Sequence, residues 1–265
     1  MNNLIIKQSL YKVWSGGEVR AFLRSLPSDH LHVTCLDYSM NGFMALAQTV
    51  EIARRKRCKG ISLTYPYLPY ARQDRVTSEE ESFSMKVFAR MINALDFESV
   101  TVYDPHSDVG PALIDRCHIV HQSVLWSKMV PDSVLRDPNT LFVAPDAGAA
   151  KKLININPEQ LVLAYKKRNS SGAPIISGIH SPVDMKGRSC LIIDDICDGG
   201  RTFTELAAAL REHHVSSVGL YVTHGIFSHG TDSLSPLINH IWTTDSFDSP
   251  IGINTTRSNV FLPES

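Results

Sequence analysis

Short apolar, β-prone runs alternate with amphipathic helical runs along most of this 265-residue chain, and that alternation dictates the architecture. "HVTCLDY" has strand character, "GFMALAQTVEIARRKRC" helical periodicity, "GISLTYPY" strand character, "FSMKVFARMINAL" helical periodicity, and "SVTVYDP" strand character again. The second half repeats the plan. "LFVAPD" leads into the helical "AGAAKKLINI", and "LVLAYKK" follows. Then come "CLIID", the helical "FTELAAALREHH" and "SVGLYVTHG". Alternation of this kind predicts an α/β chain with mainly parallel sheets flanked by helices. The stretch "HQSVLWSKMVPDSVLRDPN" lacks strand periodicity and marks a break, so two domains are expected, 1–125 and 126–265.

Composition excludes several functions. The formal net charge is −1, too low for bulk attraction to DNA or RNA, which needs a clustered basic surface. The densest basic run, residues 54–57, closes a helical pattern, where cations suit the helix C-terminus. No run of about 18 apolar residues exists to span a membrane, and "MNNLIIKQSL" lacks the apolar core of a signal peptide. The five scattered cysteines have no CxxC spacing and read as reduced thiols of a cytoplasmic protein.

In open α/β sheets, ligands bind beyond the carboxyl ends of the strands. The residues expected there are unusually polar: "YARQDR", Asp104 with His106, Asp146 with Gly148, residues 166–168, and Asp194 with Asp195. "CLIIDDICDGGRTF" is the most informative. An apolar strand is expected to end in two aspartates just where the chain turns. Gly199 and Gly200 permit positive φ and close approach to a ligand, and a helix starting near Thr202 offers free N–H groups to an anion. The Thr202 hydroxyl adds a donor. Asp194 and Asp195 cannot bind phosphate, but they can accept from two vicinal hydroxyls. A phosphate nest beside a diol clamp describes a ribose 5-phosphate unit.

The same stretch resembles the phosphoribosyl diphosphate (PRPP) loop shared by type I phosphoribosyltransferases and PRPP synthetases. Further motifs separate user from maker. "YPYLPYARQDR" resembles the "YARQDR" signature of PRPP synthetases, and "VAPDAGAAKK" resembles their "SPDAGGAKR". "WSGGEV" is similar to their Phe-Ser-Asp/Asn-Gly-Glu segment, "VYDPHSD" to their Asp-Leu-His segment, and "AYKKR" to the Asp-Lys-Arg-Arg start of a mobile loop. The resemblance spans about residues 14–240, with the motifs in order. It implies two tandem type I phosphoribosyltransferase-like domains and ribose-phosphate diphosphokinase activity: Mg-ATP plus ribose 5-phosphate gives PRPP and AMP.

Roles follow from the resemblance residue by residue. Trp14 and Glu18 hold adenine from a neighbouring subunit, which implies at least a homodimer. Arg72, Gln73, Asp74 and His106 contact ATP; His106 and Asp146 serve Mg²⁺. Asp194, Asp195, Asp198, Gly199, Gly200, Arg201 and Thr202 hold ribose 5-phosphate. Lys166 and Arg168 stabilise the transferring group, with "NSSGAP" as a closing lid. Lys151 and Lys152, one turn into their helix, read as solvent-facing. The chain departs from the family at Gly16, at the acidic "VTSEEES", at Gly199-Gly200-Arg201, and in a short tail that weakens family-type regulation. The alternatives are a phosphoribosyltransferase that consumes PRPP and a non-catalytic regulatory homologue.

Overall fold

The computed structural model describes residues 3–24, 29–168 and 174–262. The chain divides into two compact units, Met1–Val120 and His121–Ser265. No helix among the described residues is long and apolar enough to cross a membrane.

The first unit contains β1 (Asn3–Ile6), β2 (Tyr11–Val13), β3 (Val19–Ala21), β4 (His30–Cys35), α1 (Met40–Arg55), β5 (Gly60–Tyr65), α2 (Ser84–Asn93), β6 (Ser99–Tyr103), α3 (Val109–Leu113) and β7 (Cys117–Val120). Its main sheet runs β1-β4-β5-β6-β7, all parallel. The strands follow one another in a single direction, so right-handed crossovers put the helices on one face. That face carries Leu31, Val33, Leu63, Tyr65, Val100 and Val102, packed with Phe43, Leu46 and Val50 of α1 and Met85, Phe88 and Ile92 of α2. The alternate residues are polar. His32 bonds Ser62 Oγ through Nδ1 (2.8 Å) and Thr64 Oγ1 through Nε2 (3.0 Å), and Thr34 donates to Asn3.

β2 and β3 form an antiparallel hairpin apart from this sheet. Two contacts fix it. Gln48 of α1 accepts from the Ala21 N–H and donates to the Val19 carbonyl, each at 2.8 Å. The Tyr11 hydroxyl donates to Asp37, just past β4. Burial and Asp37 together push the Tyr11 hydroxyl up to about 12.

The second unit contains α4 (Gln122–Met129), α5 (Asp132–Leu135), β8 (Thr140–Ala144), α6 (Ala147–Lys152), β9 (Leu161–Arg168), β10 (Pro174–His180), β11 (Ser189–Cys197), α7 (Arg201–Glu212), β12 (Ser217–Gly225), β13 (His240–Thr244) and β14 (Thr255–Ser258). The supposed break is therefore helical at α4 and α5. The sheet order is β10-β9-β8-β11-β12-β13-β14, parallel except for the β9–β10 pair. Both faces of its central strands are buried, which explains runs such as "TLFVA" with no polar alternation. One face packs on Phe203, Leu206 and Leu210 of α7; on the other, Trp126 of α4 meets Phe142, ring centroids 6.2 Å apart.

One expectation is corrected. The strand does not end at Asp194-Asp195. β11 continues to Cys197, because Ile196 and Cys197 still pair with His224 and Gly225 of β12. The charges interrupt the apolar run, but the ladder continues because its partner strand is just as long.

Several helices end on a residue with positive φ where glycine is the usual choice: Arg57, Asp96 and His214 have φ of 62°, 45° and 58°. His214 follows α7, is exposed, and donates its N–H to the Arg211 carbonyl. His214→Gly is expected to stabilise the protein by about 0.5–1 kcal/mol, because the left-handed conformation costs glycine nothing. An unchanged or lowered urea midpoint would remove that account.

Candidate functional site

In the first unit, two loops at the carboxyl ends of β5 and β6 come together. The first is residues 66–75. Tyr70 adopts φ 63°, an unfavourable conformation for a bulky side chain. Its ring is held against Phe88 at 5.2 Å, within an aromatic group that includes Phe43 and Tyr65. Aromatic contacts worth about 0.5–1.5 kcal/mol each offset the strain and fix the chain that presents Arg72. The second loop follows Asp104, also at positive φ (39°) and buried.

Asp74 joins the two. It is only 6% exposed. Arg75 grips it with Nε at 2.7 Å and NH2 at 3.1 Å, and the Ser107 side chain also bonds it, beside His106. The Arg75 bond is the main cause that holds the Asp74 carboxyl below its ordinary value. Asp74 and Ser107, 33 positions apart, are thus brought together, while Arg72, Gln73 and His106 are exposed. Trp14 and Glu18 close the β2–β3 hairpin, with the Trp14 N–H donating to the Glu18 carbonyl (2.9 Å). Trp14 is 54% exposed, so it is not the core residue that a lone tryptophan usually is.

In the second unit the sheet has a switch point. β8 leads by α6 to β9 on one side; β11 leads by α7 to β12 on the other. The crevice between such crossovers, at the carboxyl ends, is where open α/β sheets bind ligands. Asp146 ends the β8 segment as N-cap of α6, accepting from the Ala149 N–H at 3.0 Å. Asp194 and Asp195 lie within the end of β11. Burial, then the charges of Asp195 and Asp146, push the Asp194 carboxyl well above its ordinary value. So three carboxylates converge where sequence reading expected a diol clamp and a metal ligand.

Two lysines balance them. Lys166 of β9 places Nζ 2.5 Å from Asp146 Oδ2, and Lys152 of α6 places Nζ 3.3 Å from Asp195 Oδ2. Burial alone would push the Asp146 carboxyl up, but Lys166 and the N–H groups of Ala149 and Gly148 outweigh it and hold it below its usual value. Lys152 was read as solvent-facing, and that is corrected: its side chain is 25% exposed and tied to a buried carboxylate. A helix-end lysine carries no sequence signal for such a contact. The Arg168 side chain and residues 169–173 of the proposed lid "NSSGAP" lie outside the described residues, while its last residue, Pro174, begins β10.

The Gly-rich turn follows β11. Of its two glycines only Gly200 uses positive φ (77°), as N-cap of α7, and it offers no capping side chain to the first turn. An added Cβ there would lie 2.9 Å from Leu234 Cδ2, so both conformation and space require glycine. Arg201 is exposed and reaches Glu205, its Nε 3.9 Å from the carboxylate; Asp198 and Thr202 flank the turn half-buried.

Among the described residues no three His, Cys, Asp or Glu side chains form a ready metal cage. Mg²⁺ does not require one. It keeps several waters and is held by one or two carboxylates plus substrate phosphates. Asp146, with hard oxygen donors and Asp194 and Asp195 nearby, fits that mode.

Comparison with known proteins agrees with this layout. Residues 30–95 match the "N-terminal domain of ribose phosphate pyrophosphokinase" and residues 140–249 the "Phosphoribosyl transferase domain". A ribose-phosphate pyrophosphokinase of Hyphomonas neptunium is 30% identical over 195 residues, covering 71% of this chain and 61% of that protein. One from Caulobacter vibrioides is 27% identical over 219 residues, covering 79% and 69%. The chain thus spans about three fifths of the length of the first of these relatives. The phosphoribosylpyrophosphate synthetase of Mycobacterium smegmatis shares the fold, with a TM-score of 0.76 at 19% identity over 97% of this chain and 94% of that one. With both of its characteristic domains in order, the chain belongs to the ribose-phosphate pyrophosphokinase family.

Proposed function

We propose that the protein is a ribose-phosphate diphosphokinase, transferring the β,γ-diphosphoryl group of Mg-ATP to O1 of ribose 5-phosphate. The observation that carries this reading is the convergence of Asp146, Asp194, Asp195 and Lys166 at the switch point beside the Gly200 turn. The O1 hydroxyl attacks the β-phosphorus, the bond between the β-phosphorus and the bridging oxygen breaks, AMP leaves, and the O1 proton passes to solvent. Such a transfer needs positioning and charge neutralisation more than covalent catalysis.

The turn from Asp198 to Thr202 receives the 5-phosphate on backbone N–H groups at the start of α7, and Asp194 and Asp195 accept from ribose hydroxyls. Arg72, Gln73 and His106 hold the polyphosphate; Asp74 acts mainly by fixing their loops. Trp14 and Glu18 hold adenine across a subunit contact, so the active form is at least a dimer. Asp146 would hold Mg²⁺ together with water and substrate phosphates, and the ion would supply charge neutralisation there; the family resemblance gives His106 of the first unit a metal contact as well. Lys166 and Arg168 stabilise the charge that builds on the transferring group.

The test separates this activity from its relatives. Purified protein with ribose 5-phosphate, ATP and Mg²⁺ is expected to release AMP, not ADP. No AMP across varied phosphate and metal would sink the reading. Release of diphosphate from PRPP only when a nucleobase is added would assign a phosphoribosyltransferase instead.

A further inference from the structure

We propose that Lys152 is a positioning residue of this site, holding Asp195 as a charged acceptor aimed at a sugar hydroxyl. The inference rests on the proposed function and adds a residue to it. α6 carries Asp146 as its N-cap and Lys152 as its last residue, about 9 Å further along at 1.5 Å per residue. From there Lys152 crosses the switch point to β11 and meets Asp195 at 3.3 Å. Lys151, its neighbour, is exposed.

The two lysines of the acid cluster are not equivalent. Lys166 sits on the strand that leads into residues 169–173, its side chain 38% exposed and that of Asp146 31%. It must leave Asp146 to act on a phosphoryl group. Lys152 sits on a helix, and its partner Asp195 keeps only 8% of its side-chain surface. A buried carboxylate that loses its cation is strongly destabilised. Without Lys152 the Asp195 carboxylate loses the contact that fixes its orientation beside Asp194, and its aim at a sugar hydroxyl is lost. Lys152 is therefore the resident counter-ion, and Lys166 the exchangeable one.

Steady-state kinetics of Lys152→Met, Lys152→Arg and Lys151→Met decide the matter, with thermal unfolding to check that each variant is folded. Lys152→Met should raise KM for ribose 5-phosphate roughly 20-fold, the scale of one lost charged hydrogen bond, with KM for ATP within about twofold of wild type. Lys152→Arg should recover most of the loss, and Lys151→Met should leave both constants unchanged. If Lys152→Met does not fold, Lys152→Gln takes its place in the same comparison. An unchanged KM for ribose 5-phosphate, an equal rise for ATP, or an arginine variant as damaged as the methionine one overturns the assignment. Wild-type protein that forms no AMP overturns the function itself, and the Lys152 role with it; that failure shows before any variant is made.

Discussion

Lys166→Ala should lower AMP-forming turnover by roughly 10³, about 4 kcal/mol of transition-state stabilisation, with little change in stability. The two halves of that expectation have separate causes. In the resting structure Lys166 spends its charge on Asp146, and both side chains are about one-third exposed. Exposed pairs contribute about 0–1 kcal/mol to folding, so the fold barely registers the loss. In the proposed reaction the same ammonium would face charge that develops on the transferring phosphoryl oxygens, where water is excluded and its effect is far larger. Lys167 precedes Arg168 on the same strand, and its side chain points to the other face of β9. Lys167→Ala should therefore change turnover less than about threefold. A second readout needs no turnover. Removing the ammonium from Asp146 frees a metal-binding oxygen, so Mn²⁺ alone should bind Lys166→Ala several-fold more tightly than wild type. Single-turnover AMP formation within tenfold of wild type would remove Lys166 from the transition state.

The same site shows what could be read from sequence and what could not. The alternating runs fixed an α/β fold, because each buried strand and amphipathic helix has its own period. Placing polar residues at strand ends was also legible, since the ligand crevice beyond the carboxyl ends of the strands depends on topology alone. Short strands at or next to the sheet edges were not. β7, β10, β13 and β14 are four, seven, five and four residues long and lack clean alternation. Asp74 was legible as polar but not as a joint, because its second partner, Ser107, comes from another loop. Lys152 was misread for the same reason. Its role depends on the distance between α6 and β11, which only tertiary packing sets. The aspartates of β11 were legible as polar residues near a strand end, yet the strand was cut too early, because the ladder with β12 is a non-local fact.

Asp245→Ala should cost about 3 kcal/mol of stability, the largest loss expected from any single carboxylate away from the site. Asp245 follows β13 and is 6% exposed. Its carboxylate accepts the backbone N–H groups of Val260 (2.7 Å), Phe261 (3.0 Å) and Leu262 (2.9 Å), while its own N–H donates to the Ser258 carbonyl (3.1 Å). The chain after β14 has no ladder of its own here, so one side chain satisfies three consecutive donors and seats Phe261, 7% exposed. Alanine leaves those donors without an acceptor and loosens the Phe261 contact. Asparagine keeps one acceptor oxygen and should cost about half as much. For a unit of this size 3 kcal/mol corresponds to roughly 6–12 °C in Tm. Trp126 and Trp242 both lie in this unit, so tryptophan fluorescence follows its unfolding, with Trp14 reporting on the other. A shift of less than 1 °C in Asp245→Ala would mean that water replaces the carboxylate at little cost. The three N–H groups would then be better described as solvated than clamped.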